Sequence, residues 1–188
     1  MPAFAAETRG RFLRNVRRDS SGLLSSGTRY ASARRMRLLR WLAISFVPAV
    51  IGFRFPAPEY YSRLQKPSWA PPGWLFGPVW TLLYALMGVA AWLVAGNADS
   101  ASRTPLVLWS AQLSLNATWT PVFFGLRAPG LALVNIVLLW FALVGTVIAF
   151  FTRRPLAGVL LIPYLGWVTF ATALNFAIWH QNRLAGRR

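Results

Sequence analysis

Four stretches of this chain, Trp74–Ala95, Pro105–Gly125, Pro129–Phe151 and Ala157–Trp179, contain no Asp, Glu, Lys or Arg. Each reaches the ~20 residues a helix needs to cross a hydrocarbon core about 30 Å thick. Lipid offers no hydrogen bonds, so each run must satisfy its own backbone N–H and C=O groups as a helix. A fifth run, Leu38–Phe55, is weaker and carries Arg40 and Arg54 near its ends, where long side chains reach back to the interface. The expectation is an all-α integral membrane protein, a bundle of five transmembrane helices over 38–55, 74–95, 105–125, 129–151 and 157–179. The connections Gly96–Thr104, Leu126–Ala128 and Thr152–Leu156 are short, which makes successive helices antiparallel neighbours.

Composition agrees. The chain is 56% hydrophobic and only 13% charged, with ten Trp and four acidic residues. A soluble domain needs about twice that charged fraction to face water. The net charge of +16 suggests a nucleic-acid partner, but its distribution excludes one. Ten of the twenty basic residues lie between Arg9 and Arg40, and the rest mostly flank apolar runs, as membrane insertion requires. Cysteine is absent and His180 is the lone histidine, so this chain supplies no thiolate site and no multi-His metal site. No cofactor is expected.

Residues 1–35 are Arg- and Ser-rich and poor in acids, which reads as a basic tail touching headgroups, a transit peptide, or a start-site artefact ahead of Met36. The membrane domain is then 36–188, in a bacterial membrane, or an organellar one if the leader is a true transit peptide. The positive-inside rule does not fix its orientation once the leader is removed.

Chemistry has to come from uncharged residues. At 100° per residue, Trp109, Gln112, Asn116, Trp119, Thr120 and Phe123 share one sector of the third run. Ser110, Ala111, Ser114, Ala117, Thr118 and Gly125 form an opposite small-residue face, suited to close approach of another helix or of a second copy. In the fifth run Tyr164, Trp167, Val168, Ala171 and Asn175 align, and in the second Trp80, Tyr84, Met87 and Ala91. Such faces either converge on a cavity for a large, flat, apolar ligand or pack shut, with the amides as interhelical glue. Trp74, Trp92 and Trp179 read as an interfacial belt, which does not account for mid-span Trp80 and Trp167. The clean spans lack the ionisable groups on which coupled pumps depend, and no acid–base pair serves hydrolysis.

Between the first two runs, Pro56, Pro58, Pro67, Pro71 and Pro72 stiffen a loop that also carries Tyr60, Tyr61 and Trp69. It reads as a lid over a bundle mouth, or else as an interfacial anchor. The segment Lys66-Pro67-Ser68-Trp69-Ala70-Pro71-Pro72-Gly73, with Gly77-Pro78-Val79-Trp80-Thr81 and Tyr84, resembles the translocator protein family, also called tryptophan-rich sensory proteins or peripheral-type benzodiazepine receptors. Gln112-Leu113-Ser114-Leu115-Asn116 and Trp119-Thr120-Pro121-Val122-Phe123-Phe124-Gly125 are similar to that family's third helix. Pro163-Tyr164-Leu165-Gly166-Trp167, Phe170-Ala171-Thr172, Leu174-Asn175 and Trp179 are similar to its fifth.

The resemblance implies a five-helix membrane bundle, commonly a homodimer, that binds tetrapyrroles such as protoporphyrin IX. Its functions would be porphyrin sensing, transport or scavenging. It further implies ligand contacts at Tyr61, Pro72, Trp80, Gln112, Asn116, Trp167, Ala171 and Asn175. Some members are linked to light-dependent porphyrin degradation, which would give Trp80 and Trp167 a catalytic part. A ligand-free scaffold is the remaining alternative. A sterol partner is weakly supported, because the family's sterol pattern of Tyr and Arg is replaced here by Phe176 and His180.

Overall fold

The computed structural model describes residues 32–56, 58–96 and 102–185. Expectations for the extension 1–35 therefore lie outside the described residues up to residue 31; residues 32–35 are helical. Two units are distinguished, 1–39 and 40–188, and the second is the helical bundle. Its elements are the end of α1 (32–45), α2 (Val47–Gly52), α3 (Pro58–Arg63), a 3₁₀ turn (Gly73–Leu75), α4 (Phe76–Ala95), α5 (Arg103–Thr120), a π-helical turn (Pro121–Gly125), α6 (Pro129–Arg153) and α7 (Pro155–Ala185). No strand occurs among the described residues.

Three helices are long and apolar enough to cross a membrane by length and composition: Gly73–Ala95, Pro129–Arg153 and Pro155–Leu184. Two of the five expected spans miss that criterion, for different reasons. The run 38–55 is broken at Phe46 because Pro48 has no N–H to continue the ladder, and the Phe46 N–H divides itself between the carbonyls of Leu42 and Ala43. In α5 the hydroxyls and amides of Ser110, Gln112, Ser114, Asn116, Thr118 and Thr120 lower the hydropathy of an otherwise apolar helix. Pro121 then ends the α-helical ladder. The chain loosens into one π turn, closed by Leu126 N–H to Pro121 O at 2.9 Å.

The main core joins α4, α5, α6 and α7 through Met87, Ala90, Ala91, Trp109, Leu139, Leu143, Phe150, Leu161, Tyr164 and Val168. The small residues decide how closely the helices approach. A Cβ on Gly88 would stand 2.9 Å from Leu42 Cα, so α1 crosses α4 almost backbone on backbone. A second cluster at the loop end gathers Phe123, Ala132, Leu174 and Ile178.

The Pro-rich loop is fastened over this second cluster. Tyr60, Tyr61, Leu64 and Ala70 pack on it, and the Trp69 ring meets Phe170 edge-on at 5.8 Å. The Gln65 N–H donates to Asn182 Oδ1 at 3.0 Å, while Asn182 Nδ2 donates back to Gln65 O at 2.9 Å. Lys66 Nζ donates to the Tyr61 and Leu64 carbonyls, neutralising the end of α3. A lid over the bundle end describes the loop's position, although it covers the second cluster.

Two outcomes follow from this packing. Gly88→Val should lower stability by about 1–3 kcal/mol through overpacking against a backbone that cannot yield, read as a lower Tm in detergent; an unchanged Tm would show that α1 moves aside freely. Asn182→Ala should free the loop, seen as faster hydrogen exchange at the Gln65 amide with α4–α7 protection retained.

Candidate functional site

Between α2, α4, α5 and α7, with α6 behind, lies a cavity of about 450 Å³. That is within the roughly 300–1,000 Å³ usual for ligand pockets. Aromatic rings make most of its wall: Phe46 before α2, Phe76, Trp80 and Tyr84 on α4, Trp119 on α5, and Trp167 on α7. Ile136, Leu139, Val168 and Ala171 fill the gaps between them. Its exposed members, Phe53, Gly77 and Thr81, lie at the end of α2 and the start of α4, so the cavity opens between those two helices. No charged residue lines it.

The rings are braced by one another. Trp80 stacks on Tyr84 at 5.3 Å with 27° between planes and meets Tyr164 edge-on at 6.0 Å. Trp167 packs against Phe76 at 5.8 Å and Phe170 at 5.5 Å. Offset and edge contacts of this kind contribute about 0.5–1.5 kcal/mol each beyond burial. They also fix ring orientation, which keeps the walls from collapsing inward.

Beside the Thr81 and Thr120 hydroxyls and the unpartnered Trp167 indole N–H, the wall carries one amide, Asn116. Its Oδ1 accepts from the Tyr84 hydroxyl and its Nδ2 donates to the Tyr164 hydroxyl, both at 2.9 Å. One amide thereby ties α5 to α4 and α7 at the cavity floor. Asn116 keeps a second amide proton, and Tyr84 keeps lone pairs, for anything that enters.

Of the eight residues expected at a ligand site, Trp80, Asn116, Trp167 and Ala171 line the cavity, and Tyr61, Pro72, Gln112 and Asn175 do not. Asn175 sits one turn nearer the loop than Ala171. Its Oδ1 accepts from Trp119 Nε1 at 3.0 Å and its Nδ2 donates to Pro129 O at 2.9 Å, so it fixes the Trp119 ring from behind. Gln112 lies one turn below Asn116, fully buried, with only the Met87 sulfur 3.8 Å from its Nε2. Tyr61 belongs to the loop, its ring 6.2 Å from Phe124 and under the Lys66 ammonium; burial pushes its phenol pKa up. Pro72 is exposed and precedes the 3₁₀ turn that starts α4.

The residues missed by sequence reasoning are Phe46, Pro48, Ala49, Gly52 and Phe53 from the first run, together with Phe76 and, from the fourth run, Ile136 and Leu139. The Pro48 break was the available signal, since a kinked helix turns a different face inward on each side of the kink.

Apolar helices of spanning length around an uncharged, aromatic-walled cavity define a helical membrane protein with an internal pocket. The chain belongs to the TspO/MBR family, whose model matches residues 39–180. It is 44% identical to the translocator protein of Homo sapiens over 146 residues, covering 73% of this chain and 86% of that protein. It is 47% identical to the tryptophan-rich protein TspO of Chlorobaculum tepidum over 143 residues, 75% and 90% of the two chains. With the tryptophan-rich sensory protein of Cereibacter sphaeroides it shares 42% identity over 144 residues, 77% and 90%.

Asn116→Ala should strand both tyrosine hydroxyls and cost about 1–3 kcal/mol, whereas Tyr164→Phe, which removes one partner and leaves Tyr84 bonded, should cost less. Thermal unfolding of the two variants in one detergent gives the comparison; equal losses would mean that the bridge carries no weight.

Proposed function

We propose that this protein is a multi-pass membrane receptor or carrier that holds a flat tetrapyrrole of the protoporphyrin IX type in the cavity among α2, α4, α5 and α7. The observation that carries this reading is the pairing of a cavity of about 450 Å³ with walls of indole and phenol rings and a single neutral amide. A planar conjugated guest gains stacking area on Trp80, Trp119 and Trp167, and the Asn116–Tyr84 pair offers one donor and one set of lone pairs to orient it. The wall contains no His, Cys or carboxylate to complete a metal's coordination, which favours a metal-free macrocycle. A scaffold held by amide glue alone would leave its core filled, and this core is not.

The same proposal has five crossings. A buried, hydroxyl-rich α5 inside the bundle need not be as apolar as a lipid-facing helix, and a kinked α1–α2 completes the ring. The exposed residues Ser110, Ala111, Ser114 and Thr118 on the outer face of α5 would serve the homodimer contact.

Protoporphyrin IX titrated into the detergent-solubilised protein should quench Trp fluorescence saturably. Trp80→Ala and Trp167→Ala should each weaken binding about tenfold, the equivalent of 1.4 kcal/mol. Trp140→Phe, on the outer face of α6 and away from the cavity, serves as the control. Affinity unchanged in both cavity variants would overturn the assignment.

A further inference from the structure

The cavity accounts for Asn116 and Trp80, but not for a second polar feature deeper in the bundle. Trp109 is 1% exposed and Gln112 fully buried, and neither lines the cavity. Trp109 Nε1 and Gln112 Oε1 are both buried without a hydrogen-bond partner. Such groups are costly: an unsatisfied buried donor or acceptor forfeits about 1–3 kcal/mol. Here one of each occurs on the same face of one helix, at i and i+3, positions whose Cβ atoms stand about 5–6 Å apart.

The Gln112 carboxamide is directed at α4, its Nε2 3.8 Å from the Met87 sulfur, while the Trp109 ring is held edge-on against Trp41 at 5.3 Å. The buried hydroxyls of Ser45 and Thr146 donate within their own helices, to Trp41 O at 2.8 Å and to Ala142 O at 2.7 Å, so neither proton is given to the Gln112 oxygen. The Met87 sulfur, 3.8 Å from Gln112 Nε2, is a weak acceptor and serves the other end of the amide.

We infer that Trp109 and Gln112 form a binding site for one internal water molecule, one to two helical turns beneath the cavity floor. The water accepts from the indole N–H and donates to the carboxamide oxygen, satisfying both groups at once. Buried waters of this sort usually find two to four polar partners, and this site provides two of opposite character. The site is independent of whatever occupies the cavity.

The full chain in lipid nanodiscs, isotope-labelled at its indole nitrogens, tests this by NMR. The Trp109 signal is identified by its disappearance in Trp109→Phe. In the unmodified protein the Trp109 indole proton should show a cross-peak to water that persists through slow exchange; Gln112→Met should abolish the cross-peak and move the resonance. A native Trp109 indole proton without a water cross-peak overturns the inference, as does one left unaltered by Gln112→Met. A stability cycle gives a second readout. Trp109→Phe and Gln112→Met should each lower the Tm, and the double variant should fall by less than the sum, because no orphan remains; additive losses overturn the shared site.

Discussion

The bundle turns on a single carboxamide. Asn116 is nearly buried in a helix whose surroundings are apolar, and there a lone amide is expensive to hold without partners. Its two hydrogen bonds run to hydroxyls on different helices, Tyr84 on α4 and Tyr164 on α7. Between membrane helices a bond of this kind averages only about 0.6 kcal/mol, because competing partners exist in the unpacked state. Its value here is geometric. It sets the rotation of three helices relative to one another, and with it the direction in which Trp80 and Trp167 face.

That rotation explains how a cavity persists inside a chain that has every apolar reason to close. Trp80 is stacked on the Tyr84 ring whose hydroxyl Asn116 holds, so moving the indole inward would cost the stack with a ring that is itself tied in place. Trp119 is fixed from outside by Asn175, which is itself bound to the backbone of Pro129. The second cluster and the loop fastened by Gln65 and Asn182 then close the end of the bundle above these rings. The cavity walls are thus stiff by construction, and a rigid site spends little ordering entropy on its guest.

Much of this was legible beforehand. Uncharged runs located α4 to α7, and a 100° rotation per residue put Trp80, Asn116, Trp167 and Ala171 on faces that do meet. Periodicity reports azimuth, however, and says nothing about depth. Gln112 shares its face with Asn116 and Asn175 with Ala171, yet each is one turn displaced, Gln112 below the floor and Asn175 toward the loop. Nor does periodicity survive a break: the contribution of Phe46, Pro48, Ala49 and Gly52 depends on a kink whose angle no pattern encodes. Tyr61 and Pro72 belong to a loop whose course is set by contacts with Phe124 and Asn182, remote in sequence from both.

The uncharged wall also restricts how a guest can sit. A carboxylate carried into this cavity would find no cation to pair with and would lose several kcal/mol of solvation. Any acidic substituent must therefore remain at the margin between α2 and α4, where Phe53 and Thr81 are exposed and Arg54 follows Phe53 in the chain. A guest of the proposed kind would put its ring system in and keep its charge out. Recognition would then depend on flatness and on the few polar groups of the wall, with charge serving to fix which edge of the guest leads. A neutral planar molecule of the same size, having no edge that must remain in water, would enter in either sense, and the choice between them would fall to the polar groups of the wall: the Asn116 amide, the Tyr84 and Thr120 hydroxyls and the unpartnered Trp167 indole N–H.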